Sequence, residues 1–186
     1  MVDRLNRDIP GQMSDAELER LIELARSVPP NGIIVEVGCL YGLSSWHLSK
    51  FCSPGVTIFC IDPWRRERWV VDLVEIPQNA PPFSAEAFSH FTSDCDNIVM
   101  IPGYSPNIAR GRNLTIDMYV EDAVHTNPIL RNNLRFWTER VRPGGIVSGH
   151  DYTSLWPDVI NEVDSLAAEF DSSVLLVDTL WSFRKP

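Results

Sequence analysis

The chain has 186 residues, room for one domain and not for a second of ordinary size. Hydrophobic residues at 44% and charged residues at 22% are the proportions of a folded globular protein, not of a disordered or fibrous one. A net charge of −9 counts against a phosphate backbone as the main partner, so no nucleic acid is expected. No apolar run approaches the ~20 residues that span a bilayer, and Met1 to Pro10 carry no apolar signal segment, so no membrane partner is expected either. The cysteines, Cys39, Cys52, Cys60 and Cys95, form no C-x-x-C pair, which argues against a zinc site and against a disulfide framework. A reducing, cytoplasmic location fits. The densest basic run, Arg65, Arg66 and Arg68, reads as a solvated face or a local anion contact.

Ser14-Asp15-Ala16-Glu17 has the form of a capping box, and Leu18, Leu21, Ile22 and Ala25 follow at helical spacing. Residues 1–30 thus read as a helical segment packed on the same domain, ended by Pro29-Pro30-Asn31-Gly32. Ile33 to Val37 is a short apolar run meeting Gly38, the pattern of a buried parallel strand entering a turn. A helix over Leu43 to Phe51 is followed by a second strand, Val56 to Ile61, ending at Asp62-Pro63. Residues 64–83, rich in Trp and Pro, read as an insertion over a site, where Trp64, Trp69 and Phe83 line a pocket or anchor the loop. Ala87, Phe88 and Phe91 mark a helix after Ser84, and Ile98 to Ile101 a third strand.

A fourth strand, Ile116 to Val120, ends at Glu121-Asp122. Asn127 and Pro128 suit an N-cap and first helical residue, before Leu130, Leu134, Trp137 and Val141 on one helix face. Pro143-Gly144-Gly145 turns into a fifth strand, Ile146 to Ser148. Trp156, Val159, Ile160, Val163, Ala167 and Phe170 mark a last helix, and Val174 to Val177 and Leu180 to Phe183 two final strands. Trp156 and Trp181 read as core. Strands alternating with helices predict a doubly wound, Rossmann-like α/β domain over 31–186, with seven strands, mostly parallel, and an antiparallel last strand.

In such sheets ligands bind outside the carboxyl ends of the strands, where strand order reverses. The first strand ends in Glu36-Val37-Gly38-Cys39-Leu40-Tyr41-Gly42, and the second in Asp62, 26 residues after Glu36. Glycines let backbone approach a ligand without a Cβ clash, and a strand-end carboxylate can accept hydrogen bonds from ribose hydroxyls. A dinucleotide G-x-G-x-x-G fails, because Leu40 and Leu43 stand where glycines are needed, and a P-loop G-K-[ST] is missing. A cofactor with a ribose and a cationic amino-acid end, but no phosphate, suits the remaining pattern better.

Ile34 to Ser45 resembles the first motif of class I S-adenosylmethionine-dependent methyltransferases, in the branch with E-[IV]-G-x-x-x-G-x-S. Cys60-Ile61-Asp62-Pro63-Trp64 is similar to that branch's second motif, and Gly103-Tyr104-Ser105 to a G-x-S turn after the third strand. The resemblance implies Gly38 and Gly42 near the methionine part of the cofactor, Asp62 on the ribose, and Pro63 and Trp64 near the adenine. The donor site so implied comprises Glu36, Gly38, Tyr41, Gly42, Ser45, Asp62, Pro63, Trp64, Ser105 and Asp122.

A second constellation closes the next two strands: Asp122 and His125 after the fourth, His150 and Asp151 after the fifth. Neighbouring strands lie roughly 4.8 Å apart, so Asp122 and Asp151 should meet at the edge that faces the cofactor. Two aspartates so placed repel unless a cation or a proton is shared, and hard oxygen ligands suit Mg²⁺, Ca²⁺ or Mn²⁺. A histidine beside them could remove a proton from an acceptor hydroxyl. D-x-x-H followed by G-[EH]-D-Y resembles metal-dependent O-methyltransferases of sugars and other hydroxylated natural products. That resemblance implies Asp122 and Asp151 as ligands of Mg²⁺ or another divalent cation, and His125 as a base or a cofactor contact. The chain departs from that pattern at Ala123-Val124 and at His150, where some metal-binding members carry Glu. A purely structural use stays open too, with Asp151 or His125 capping turns and His150 a satisfied core histidine.

The expected activity is therefore in-line methyl transfer to a small hydroxylated acceptor, with His125 and His150 as catalytic candidates and Asp122 and Asp151 as metal candidates. Metal-free transfer to oxygen or nitrogen, and a cofactor-binding module without turnover, are the alternatives. With no separate substrate domain, a second copy of the chain is one way to close the site.

Overall fold

The computed structural model describes residues 5–65, 80–111 and 113–186. Arg66, Arg68 and Trp69, and most of the insertion expected after the second strand, lie outside the described residues. The elements are α1 Asp15–Arg26, β1 Ile33–Val37, α2 Leu43–Phe51, β2 Thr57–Asp62, α3 Ala85–Phe91, β3 Ile98–Pro102, a 3₁₀ turn Asn107–Ala109, β4 Ile116–Glu121, α4 Ile129–Arg140, β5 Val141–Gly149, α5 Pro157–Glu169, β6 Leu175–Val177 and β7 Leu180–Arg184.

The seven strands form one sheet in the order β3-β2-β1-β4-β5-β7-β6. The first five run parallel, and β7 runs antiparallel between β5 and β6. Order reverses between β1 and β4, whose register pairs Val37 with Glu121. That crevice is where the open-sheet rule places a ligand.

Alternation along the strands divides the core in two. Ile34, Ile58, Cys60, Met118 and Val120 pack toward α1, α2 and α3. Val35, Ile61, Tyr119, Val147 and Phe183 pack toward α4 and α5, where Leu134, Trp137, Val163 and Leu166 meet them. Burial on both faces explains why the strands read as continuous apolar runs. All four cysteines are free, with Cys39 and Cys60 buried.

The capping box forms as read: Glu17 N–H donates to Ser14 Oγ and Ser14 N–H to Glu17 Oε2. α4 begins one residue later than expected, with Pro128 capping and Asn127 Oδ1 accepting from Arg131 N–H. Trp181 is buried in the sheet. Trp156 departs from the core reading: it is half-buried, because it sits at the exposed start of α5. Among the described residues no helix is long and apolar enough to cross a membrane.

Candidate active site at the carboxyl edge of the sheet

The turn from β1 to α2 is organised by the acid that ends β2. Asp62 Oδ2 accepts the backbone N–H groups of Cys39 (2.9 Å) and Leu40 (3.2 Å), and Oδ1 accepts that of Trp64 (2.7 Å). Burial pushes the Asp62 carboxyl upward and these three donors oppose it. The loop is thereby fixed around the carboxylate, whose remaining lone pairs can accept further hydroxyls. Leu40 (φ +48°) and Trp64 (φ +42°) both occupy left-handed backbone conformations here. Such strain in non-glycine residues is characteristically held at functional sites. Trp64 folds back so that its indole N–H reaches the Leu40 carbonyl (3.2 Å) and its ring meets Phe88 (4.8 Å). Pro63 between them is half-buried.

The glycines have a reason different from the one read in the sequence. A Cβ on Gly38 (φ +85°) would lie 2.0 Å from the Asp122 carbonyl oxygen, and one on Gly42 (φ +94°) 2.7 Å from Thr92 Cγ2. The space is taken by protein: Gly38 lets β1 and β4 close at their ends, and Gly42 lets the start of α2 meet α3.

Three residues assigned to the cofactor point elsewhere. Tyr41 is 1% exposed; its hydroxyl donates to the Pro81 carbonyl (2.8 Å), so it ties the turn to the chain before α3. Ser45 is fully buried and its hydroxyl donates to Glu36 Oε2. Ser105 turns toward α4, where its Oγ accepts the Trp137 indole N–H (2.9 Å). Each is recruited by a packing partner that a motif cannot show. Glu36 is also fully buried; burial raises its carboxyl, and its Oε1 has no hydrogen-bond partner among the described residues.

Asp122, His125 and Asp151 do converge. Each offers a ligand atom within 4.8 Å of the others. His125 Nε2 lies 2.7 Å from Asp151 Oδ2, and its ring rests on Trp156 with centroids 4.5 Å apart. Asp151 is held in a left-handed conformation (φ +63°). Burial, together with the repulsion of Asp151, Glu36 and Glu121, pushes the Asp122 carboxyl well up, although His150 opposes it. Burial would raise Asp151 too, but the imidazoles of His125 and His150 overcome it and hold that carboxyl well below the usual range. Glu121 turns to the other face, where Tyr119 and Asn133 meet it, and burial raises it to about 7.

Both nitrogens of His150 face carboxylates. Its Nε2 faces Glu17 Oε1 (3.1 Å) and its Nδ1 faces Asp151 Oδ2 (3.3 Å) and Asp122 Oδ1 (3.8 Å). Burial alone would lower its pKa, but carboxylates on both sides raise it to about 11. Acids at both nitrogens favour the charged ring, which has no free lone pair to accept a proton. Glu17 and Thr179 are the residues that sequence reasoning missed here. Thr179 donates to Glu17 from both N–H and Oγ1 (2.8 Å each), and Thr179 Oγ1 lies 3.0 Å from His150 Nε2. The only sequence signal was Glu17 in its capping box, which accounts for one of its oxygens and not for the other.

Two cavities, of about 390 and 290 Å³, lie away from this edge, one lined by Arg20, Ile146 and Phe183 and the other by Phe59, Ile101 and Trp137. Neither holds a candidate residue.

A methyltransferase-domain family model matches residues 35–152, the stretch from β1 through the Asp151 turn. The chain belongs to that methyltransferase family. No curated protein matches the sequence. Among solved structures, the O-methyltransferase NovP superposes with a TM-score of 0.72 at 16% identity, covering 91% of this chain and 79% of that one. SMU.1697c from Streptococcus mutans, solved in complex with SAH, gives 0.65 at 12% identity, covering 94% and 100%. An rRNA methylase from Streptococcus thermophilus gives 0.61 at 13% identity, covering 94% and 99%. At these identities the likeness is one of fold, which this methyltransferase shares with enzymes of different acceptors.

Proposed function

We propose that this methyltransferase uses S-adenosylmethionine to methylate a hydroxyl oxygen of a small molecule, with a divalent cation held by Asp122 and Asp151. The observation that carries the reading is the meeting, at the β1/β4 crevice, of the Asp62-fixed turn with the Asp122–Asp151 pair. The family match and the fold shared with a protein solved with SAH support the donor. The donor supplies an electrophilic methyl group, and a cation in this position lowers the pKa of an acceptor hydroxyl.

The remaining work falls to the chain. Asp62 is positioned to accept ribose hydroxyls while it holds the turn. Glu36 Oε1, an acceptor without a partner among the described residues, suits the ammonium end of the donor, directly or through a water. The oxygens of Asp122 and Asp151 suit a hard cation, and their mutual repulsion is what a cation relieves. His150, held by Glu17, orients the Asp151 carboxylate through its Nδ1. Rate would come mainly from placing donor and acceptor in line. The fold also serves rRNA methylases, so the acceptor class rests on charge: a chain of net −9 does not attract a polyanion.

Calorimetric titration with S-adenosylmethionine, with added Mg²⁺ and again with a chelator, tests the donor. Saturable one-to-one binding that Asp62→Ala abolishes is expected. No binding by the folded, ligand-free protein would sink the reading. Methyl transfer to hydroxylated acceptors that persists unchanged in chelator would remove the cation while leaving the donor in place.

A further inference from the structure

We propose that His125 is a third ligand of the cation site formed with Asp122 and Asp151, and that its imidazole nitrogen makes the site prefer a first-row transition ion such as Mn²⁺ over Mg²⁺. This rests on the reading of the two aspartates as cation ligands and replaces the expectation of His125 as a base.

The geometry of the His125–Asp151 pair points to it. Nε2 and Oδ2 are 2.7 Å apart, yet among the described residues no group meets the buried Nε2 in hydrogen-bond geometry. The carboxylate oxygen therefore lies off the axis of the ring N–H, whereas an ordinary ion pair would put it on that axis. Two ligands of one ion behave differently, since both lone pairs point to a shared centre. With metal–ligand bonds of about 2.1 Å meeting near a right angle, adjacent ligand atoms sit roughly 3 Å apart. Asp122 offers a carboxylate oxygen within 4.8 Å of both.

The surroundings hold these atoms in place. The Trp156 ring packs against the His125 ring at a tilt of 34°. The left-handed backbone at Asp151 aims its carboxylate, and His150, itself held by Glu17, faces the same Oδ2 at 3.3 Å. Outer partners of this kind orient ligands in metal sites. Two carboxylates alone would suit Mg²⁺, Ca²⁺ or Mn²⁺, but an imidazole nitrogen favours first-row transition ions over Mg²⁺. A second cluster, Glu36, Cys39 and Cys60, is enclosed in the core with both thiols pushed up by burial, a poor state for thiolate ligation.

The test uses the full chain, stripped of metal, with Mn²⁺ as the probe and electron paramagnetic resonance as the readout. Loss of the free-ion signal gives the affinity, and spin-echo modulation reports a directly bonded nitrogen. One Mn²⁺ per chain is expected, with modulation from one imidazole and an affinity at least about tenfold above that for Mg²⁺ in competition. His125→Ala should abolish the modulation and weaken Mn²⁺ by about tenfold or more, with the thermal melt retained. If that variant does not fold, His125→Gln, which keeps bulk and an oxygen donor, must lose the modulation. Wild-type Mn²⁺ binding without a nitrogen signal, undiminished binding by His125→Ala, or equal affinity for Mg²⁺ would each overturn the proposal. Absence of Mn²⁺ binding while S-adenosylmethionine binds would overturn it alone, whereas failure of the donor to bind would strike the methyl-donor reading instead.

Discussion

Glu17 in the first helix and His150 at the end of β5 face each other at 3.1 Å, both almost wholly buried. Burial raises Glu17, but His150, Ser14 and Thr179 together lower it to about 2, while its partner is raised to about 11. The segment before the family-matched region thus reaches beneath the carboxylates of the site.

Removing one member of a buried pair leaves the other charge uncompensated, which costs more than the pair contributes. Glu17→Ala should therefore destabilise the fold by about 3–5 kcal/mol in urea unfolding. Glu17→Gln, which keeps an acceptor for Thr179, should cost less. A loss below about 1 kcal/mol for the alanine variant would show that the contact is not maintained in solution.

The same pair predicts acid sensitivity with a definite sign. Glu17 has a folded pKa of about 2 against an ordinary 4.5, so the stability it contributes is complete above pH 4.5 and is lost as pH falls toward 2. On the order of 3 kcal/mol is involved. Melting temperature measured from pH 6 to pH 2 should fall less steeply in Glu17→Gln than in the wild type.

Gly38 and Gly111 share a left-handed conformation but differ in surroundings. A Cβ at Gly38 would meet the Asp122 backbone at 2.0 Å, and one at Gly111 would meet nothing within 4 Å among the described residues. Gly111→Ala should cost about 1 kcal/mol, the conformational penalty alone. Gly38→Ala should cost well over about 3 kcal/mol and spread the β1 and β4 ends. Equal losses in chemical denaturation would show that the contact with Asp122 is not what requires glycine.

Asp62→Asn retains shape but removes the charge that three backbone N–H groups address. The turn should loosen, and S-adenosylmethionine affinity should fall by at least about tenfold, as expected when a charge-assisted acceptor becomes neutral. Calorimetry of the variant beside the wild type checks this. Unchanged affinity would place the ribose elsewhere.

Much of this was legible in the sequence. Apolar runs of four to six residues separated by helical spacing determined the strand count and the parallel sheet, because burial on both faces leaves no other pattern. Gly38, Asp62, Asp122 and Asp151 were identifiable because topology alone carries strand ends to one edge. What only the tertiary structure decided are the roles of side chains whose partners are distant in sequence. Tyr41 went to Pro81, Ser45 to Glu36 and Ser105 to Trp137, since a hydroxyl in the interior takes whichever partner packing brings. His150 is drawn toward its charged form because α1 and the β6–β7 turn close over it with Glu17 and Thr179. A histidine's charge depends on what lies within a few ångströms of both nitrogens, and that distance is set by how the helices and strands pack.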